Sequence, residues 1–128
     1  MGKRTIVGQY IENYNKILKL FLPEQDIYLY PGLEKHLIKK HKKCLVYIKD
    51  IPNIIKNPDY IGRHPDIPFS VEFVKKFDEN ILVAVKLDER YNYYYISNIY
   101  EISEGKIRNK LFSGRLQHGK FMKQEFTN

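Results

Sequence analysis

The stretch from Phe69 to Ser103 constrains this chain more than any other, because three β-rich segments follow one another there with only short polar breaks between them. Phe69, Val71 and Phe73 alternate with polar residues in the run up to Phe77, and Ile81, Val83, Val85 and Leu87 fall on one face of the next segment. A period of two commits both to strands. Asp78, Glu79 and Asn80 between them have hairpin-turn chemistry, so the two strands are expected to be antiparallel neighbours. Asp88 to Asn92 forms a second polar break before Tyr93 to Ser103, a long β-rich segment. The outcome is a three-stranded meander around which the rest of the chain must be arranged.

Upstream the period changes. Ile6, Tyr10, Tyr14, Ile17, Leu18 and Phe21 lie at near-helical spacing and Pro23 stops the run, which predicts a helix over Ile6 to Leu22. Ile27 to Tyr30 reads as a short strand, after which Pro31 and Gly32 open a second helix over Leu33 to Lys43. Asp50 as N-cap with Pro52 just inside predicts a short third helix over Ile51 to Lys56, ended by Asn57 and Pro58. Downstream, Gly105 and Lys106 punctuate the meander. Ile107 to Leu116 then fits a short helix, a fourth strand, or the two in sequence. With no internal repeat and no Gly/Ser/Pro-rich linker, the whole chain 1–128 reads as a single α+β domain with helices first and an antiparallel sheet after. Its expected parts are a helical extension over 1–26, a core over 27–116 and a basic, flexible tail over 117–128.

Composition narrows the class of function. A chain of 128 residues, 43% hydrophobic and 29% charged, supports one core. Its longest apolar runs, such as Ile81 to Val85, are far too short to cross a bilayer, and no signal-type apolar region follows the basic amino terminus. A cytoplasmic protein without a membrane anchor is expected. A lone cysteine, Cys44, forms no internal disulfide, and the histidines at 36, 41, 64 and 118 have no zinc spacing, so neither a metal nor another cofactor is expected. The net charge of +7 favours polyanionic partners, and eleven tyrosines supply aromatic faces on which bases can stack.

Candidate residues follow from the faces of these elements. At about 100° per residue, the second helix places Leu33, Leu37, Ile38, Cys44 and Leu45 on one broad face with His41 near its middle, aimed at the sheet. His36 lies about 140° away among Lys39, Lys40 and Lys43, so the two are not expected to share a face. His41 fits either a core histidine with satisfied ring nitrogens or a general acid or base where the helix meets a sheet cleft. On the third strand of the meander, strict alternation puts Tyr94, Ile96, Asn98, Tyr100 and Ile102 on one side and Tyr93, Tyr95, Ser97, Ile99 and Glu101 on the other. Ser97 and Asn98 offer small polar groups that need either cross-strand partners or a ligand. Lys86, opposite the Val83 and Val85 face, fits an exposed strand lysine or a phosphate contact. Arg63 and His64 sit in a loop beside Gly62 and Pro65. Arg115 follows Ser113 and Gly114, where a turn aims its fork at phosphate or at solvent. There is no phosphate-binding GKS/T loop, dinucleotide GxGxxG or nucleophile elbow, and no carboxylate-rich metal cluster lies between Leu33 and Leu116. Metal-assisted hydrolysis is disfavoured, whereas a histidine-and-lysine site in a basic, aromatic domain suits cleavage of RNA through its own 2′-hydroxyl.

The ordered pieces GLEKHLIKKH (Gly32 to His41), IPNIIKNPDYIG (Ile51 to Gly62), VEFVKKFDENILVAVKLD (Val71 to Asp88), YYYISNIYEIS (Tyr93 to Ser103) and LFSGRL (Leu111 to Leu116) together resemble the phage-associated barnase/EndoU/colicin/RelE-like nuclease domains, called PBECR. Ile6 to Leu22 and the tail after Leu116 lie outside the resemblance. It implies N-terminal helices packed on a curved antiparallel sheet, and metal-independent endoribonuclease action in phage, prophage or toxin settings, where a neutralising or immunity protein is a further partner. The helical histidine of such domains matches His41, with His36 at a second position, and Lys86 matches the basic residue of the central strand. The small polar residue of the next strand falls at Ser97 or Asn98. The implied catalytic set is therefore His41, His36, Lys86, Ser97, Asn98 and Arg115, with Tyr60, Arg63, Tyr100 and Ser113 toward the RNA. Tyr60, Tyr100 and Arg115 serve equally well as packing residues. The alternatives are a nucleic-acid-binding or phage accessory module that kept the fold without the chemistry, and a protein-interaction or toxin-neutralising partner that uses its tyrosines as the contact surface.

Overall fold

The computed structural model describes residues 3–119. The chain runs β1 (Thr5–Tyr10), α1 (Glu12–Leu18), β2 (Gln25–Leu29), α2 (Pro31–Lys40), a 3-10 segment (Lys42–Asp50), α3 (Ile51–Lys56), β3 (Tyr60–Arg63), β4 (Ser70–Lys76), β5 (Asn80–Asp88), β6 (Tyr93–Glu101), α4 (Glu104–Phe112) and β7 (Leu116–His118). The meander forms as its alternation requires. β4 pairs antiparallel with β5 through Phe73 opposite Val83, and β5 with β6 through Val83 opposite Ile99. The class is α+β.

The sheet is larger than the meander and mixed rather than antiparallel. Its seven strands run in the order β1-β2-β6-β5-β4-β3-β7. β2 lies parallel to β6 over Ile27 and Tyr28, opposite Tyr94 and Tyr95. β1 therefore precedes every helix, and β2, between α1 and α2, joins the same sheet, so the helices do not come first. The helix predicted over Ile6 to Leu22 is instead a strand and a short helix. Thr5, Ile6 and Val7 are β-branched and Gly8 follows, a poor start to a helix, and pairing with β2 gives this stretch its hydrogen bonds. Its register slips between Ile6 and Gly8, and both Val7 and Tyr10 are buried. α1 starts only at Glu12 and ends at Lys19, whose left-handed φ of 57° lets its N–H reach the Asn15 carbonyl. Of the helical extension expected over 1–26, only Glu12–Leu18 is α-helix among the described residues, while Thr5–Tyr10 belongs to the sheet.

α2 also stops earlier than its pattern suggests. Like charges at Lys39, Lys40, Lys42 and Lys43 give no support to a further α-turn. At His41 the backbone turns out of the helix with φ −141° and ψ 55°. The 3-10 segment that follows still delivers Cys44 to the core. α3 occupies the predicted residues, although Asp50 makes no side-chain cap. Ile107 to Leu116 resolves into helix followed by strand. The helix begins earlier, at Ser103, whose Oγ accepts from the Lys106 N–H at 3.2 Å, so Gly105 and Lys106 lie inside it. β7 takes in Gln117 and His118 from the expected tail, and 120–128 lie outside the described residues.

Two cores result. The larger lies on the sheet face of Val71, Phe73, Ile81, Val83, Val85, Tyr94, Ile96 and Ile99, under α1, α2, the 3-10 segment and α3. Tyr10 stacks on Tyr94 at 4.8 Å, and Tyr14 meets Phe73 edge-on at 5.3 Å. The smaller joins Val74, Leu82, Ile102 and Leu116 on the second face to Ile107 of α4. A bulge in β6 distributes residues between them. Val85 pairs with Ile96 and Ala84 with Asn98, leaving Ser97 unpaired. Past the bulge Ile99 joins Tyr94 and Ile96 in the larger core, while Tyr100 and Ile102 join the smaller, which corrects the strict alternation read from sequence. Among the described residues no helix is long and apolar enough to cross a membrane.

Candidate active site

Residues directly opposite in antiparallel strands share a face, and on the second face the register makes three rows. The first is Tyr95, Lys86 and Ser70; the second Asn98, Ala84, Glu72, Gly62 and Leu116; the third Tyr100, Leu82, Val74, Tyr60 and His118. α4 covers the third row, where Ile107 and Leu111 pack with Val74 and Leu82. The first row lines two clefts. One, of about 560 Å³, takes Lys86 and Tyr95 together with His36, Tyr30, Tyr93 and Ser97. The other, of about 880 Å³, takes Ser70 together with Arg63, His64, Lys110, Ser113 and Arg115. They adjoin where Lys86 pairs with Ser70.

α2 borders the smaller cleft through Gly32, Leu33 and His36. The departure of His41 from helical geometry brings its ring to 6.0 Å from that of His36 and 6.0 Å from that of Tyr100. The two imidazoles therefore stand side by side, where an unbroken helix would have held them apart. His36 is exposed and His41 half-buried, so neither is a core histidine. Among the described residues neither side chain has a hydrogen-bond partner.

Arg115 and Lys110 of the larger cleft are held by a carboxylate in the second row that the sequence reading passed over. Glu72, only 2% exposed, accepts from Arg115 Nε at 2.9 Å and Nη2 at 2.8 Å, and Lys110 Nζ stands 3.7 Å away. Bonding to Glu72 raises the pKa of Arg115, whereas burial lowers that of Lys110 against the pull of the same carboxylate. The Tyr100 phenol, on the adjoining strand pair, is raised by burial and by the Glu72 charge. Gly62 makes the arrangement possible, because a Cβ there would collide with the Arg115 carbonyl oxygen. Glu72 sits on the same strand face as apolar Val74, and that neighbourhood was the available signal that this was no solvated carboxylate. Lys110, which shares it, had no such signal.

The remaining candidates divide. Ser97 Oγ donates to the Ala84 carbonyl at 3.2 Å, a bond that spans the bulge and leaves the hydroxyl able only to accept from a ligand. Asn98 accepts from the Ile99 N–H at 2.9 Å through Oδ1, which leaves its amide NH2 available to donate. Lys86 has no ion pair or hydrogen bond among the described residues and stands in the middle of the first row. Arg63 lies at the far cleft. Ser113 there accepts from the Arg115 N–H at 3.4 Å and donates to the Lys110 carbonyl at 3.1 Å, shaping the turn. Tyr60 is not at the floor; it lies in the third row, with Lys76 5.5 Å above its ring and His118 at 5.3 Å. Among the described residues no group of three or more His, Cys, Asp or Glu side chains is placed to hold a metal ion.

These features define an α+β domain in which Lys86 and the Glu72-held Arg115 stand at adjoining clefts of one sheet face. Residues 5–109 match PBECR3, the phage-Barnase-EndoU-ColicinE5/D-RelE like nuclease3 family, and the chain belongs to it. No curated protein and no solved structure matches the chain. The family match takes in β1 and α1, which the resemblance seen in the sequence left outside. It ends at Asn109, before Ser113 and Arg115, so the interest of those two rests on the geometry alone.

Proposed function

We propose that this chain is a metal-independent endoribonuclease that cleaves RNA by attack of the 2′-hydroxyl on the adjacent phosphate. The observation that carries the reading is the pair of neighbouring imidazoles, His36 and His41, beside a floor where Lys86 is unpaired and Arg115 is held in place by Glu72. One imidazole takes the 2′-hydroxyl proton as the 2′-oxygen bonds to phosphorus. The other protonates the 5′-oxygen as its bond to phosphorus breaks, leaving a 2′,3′-cyclic phosphate. Lys86 and Arg115 counter the charge that builds on the phosphorane-like transition state, and the Asn98 amide and Ser97 orient the phosphate. Arg63, Ser113 and Tyr100 border the path of the strand. The family's phage association supports a phage, prophage or toxin role in the cytoplasm, with a neutralising protein as a further partner.

The test is incubation of the purified protein and its His41→Ala variant with tRNA, rRNA and single-stranded RNA in EDTA, followed by analysis of the product 3′ ends. Cyclic-phosphate ends from the wild type, with turnover lowered at least about a hundredfold in the variant, are expected. Equal cleavage by both proteins removes His41 from the mechanism. A second reading, a nucleic-acid-binding module without the chemistry, is favoured by the absence of any hydrogen-bond partner orienting either imidazole among the described residues. Salt-dependent binding with all RNA left intact decides for it.

A further inference from the structure

Beyond Lys86 the first row continues into aromatic residues that no core requires. Tyr94 and Ile27 point into the larger core, so Tyr93, Tyr95 and Tyr28 lie on the same open face as Lys86. Tyr95 stands directly opposite Lys86. Its ring centre is 6.5 Å from that of Tyr93, which is 5.6 Å from Tyr28 and 6.4 Å from the nearly parallel Tyr91. Tyr91 is 69% exposed. Arg4 fixes the near side of this array, its guanidinium 4.0 Å over Tyr28 and 5.3 Å from Tyr93, with a 3.3 Å bond to the Tyr30 hydroxyl. Arg90 lies 5.7 Å over Tyr91. Of the two acidic residues in this turn, Glu89 is exposed, whereas Asp88 is turned into its own loop, accepting from the Arg90 and Tyr91 N–H groups at 3.0 and 3.3 Å.

We propose that Tyr91, Tyr93 and Tyr95 form a stacking platform for unpaired bases of single-stranded RNA whose phosphates run on toward Lys86. The proposal deepens, and rests on, the reading of this face as the RNA site. Aromatic faces interleaved with guanidinium groups and continuous with an unpaired lysine suit a ligand that has π-faces and anionic links together. Rings take any base, so the platform favours unpaired strands without specifying their sequence. A duplex, with its base faces buried in its own stack, gains nothing from them.

The experiment measures binding of a 2′-O-methyl oligoribonucleotide, which has no 2′-hydroxyl to attack, so the outcome does not depend on cleavage. Fluorescence anisotropy compares a single-stranded 12-mer, an abasic 12-mer of the same charge and a blunt duplex. The proteins are the wild type, Tyr93→Leu, Tyr93→Phe and Tyr91→Leu, each first shown to melt like the wild type. We expect Tyr93→Leu and Tyr91→Leu to weaken binding of the single strand by about five- to a hundredfold, Tyr93→Phe to retain it, and the abasic strand to respond to none of them. Equal affinity of the wild type for abasic and base-bearing strands, or an undiminished single-strand affinity in both leucine variants, overturns the platform while leaving an RNA site in place. No binding of any oligonucleotide overturns the platform together with the reading on which it rests. Should Tyr93→Leu fail to fold, Tyr91→Leu at the exposed turn decides alone.

Discussion

Arg115 closes a two-point fork on Glu72, Nε to Oε1 and Nη2 to Oε2, between residues 43 positions apart in sequence. The pair ties the turn between α4 and β7 to the centre of β4, and it spends two of the guanidinium's five N–H donors. The rest remain for a ligand in the adjoining cleft, already oriented because the fork is planar. Glu72 is thus a positioning residue that acts through Arg115.

Glu72→Gln keeps the shape and removes the charge that two cations share. We expect it to lower the unfolding free energy by about 3 kcal/mol, because Arg115 and Lys110 then stand partly buried without a counter-charge. The double variant Glu72→Gln, Arg115→Gln should lose less than the two single changes summed. Urea unfolding of the four proteins measures this, and additive losses would mean that the pair is not coupled.

Gly62→Ala attacks the same pair from the backbone. Its Cβ collides with the Arg115 carbonyl oxygen and crowds Leu116, so β3 and β7 must separate. The change should cost about 3 kcal/mol or more and abolish the orientation of Arg115. Amide exchange should report the loss first at Leu116 and His118, which pair with Gly62 and Tyr60.

How far the sequence reveals this molecule depends on how local the deciding physics is. The meander and α3 were legible because alternation, turn chemistry and a proline near a helix start act over a few residues. The amino-terminal strand was not, since Ile6, Tyr10 and Tyr14 have helical spacing and only pairing with β2, some twenty residues on, overrides it. The face assignments on β6 failed past Ser97 because one unpaired residue shifts all that follow. Most candidate site residues were named from sequence, but their grouping was not. His36 and His41 meet only because α2 ends one residue before His41, and Glu72, on what reads as the polar side of a half-buried strand, is claimed by Arg115 and Lys110 from far along the chain.

Burial also writes a pH dependence into the larger core. The Tyr14 phenol, which donates to the Ile55 carbonyl at 2.9 Å, has its pKa raised by desolvation to about 12 from an ordinary 10.0. The folded state holds this proton more tightly than the unfolded chain does. Its contribution is therefore complete below pH 10 and is lost as the pH rises from there through about 12. Tyr10 and Tyr94 shift in the same direction, also through burial. The melting temperature should fall steeply above pH 10. Tyr14→Phe, though less stable at neutrality for want of the bond to Ile55, should show a shallower alkaline fall.

Lys86 tests whether the floor is a site or only a polar sheet face. It lies between Tyr95 and Ser70 on strands buried on their other side, and it is half-exposed and without an ion pair among the described residues. Removing its charge should therefore leave stability within about 0.5 kcal/mol. Its position in the first row, between the clefts lined by His36 and by Arg115, gives it a separate consequence. A cation that counters charge developing on the transferred phosphorus acts mainly in the transition state, so Lys86→Gln should lower kcat by about a hundredfold with a smaller change in KM. The loss of one phosphate contact should also reduce the slope of log affinity against log salt by about one. Single-turnover cleavage and salt titration of binding separate the two effects. An unchanged kcat with an unchanged slope would make Lys86 an ordinary strand lysine and shift the anionic ligand toward the Arg115 cleft.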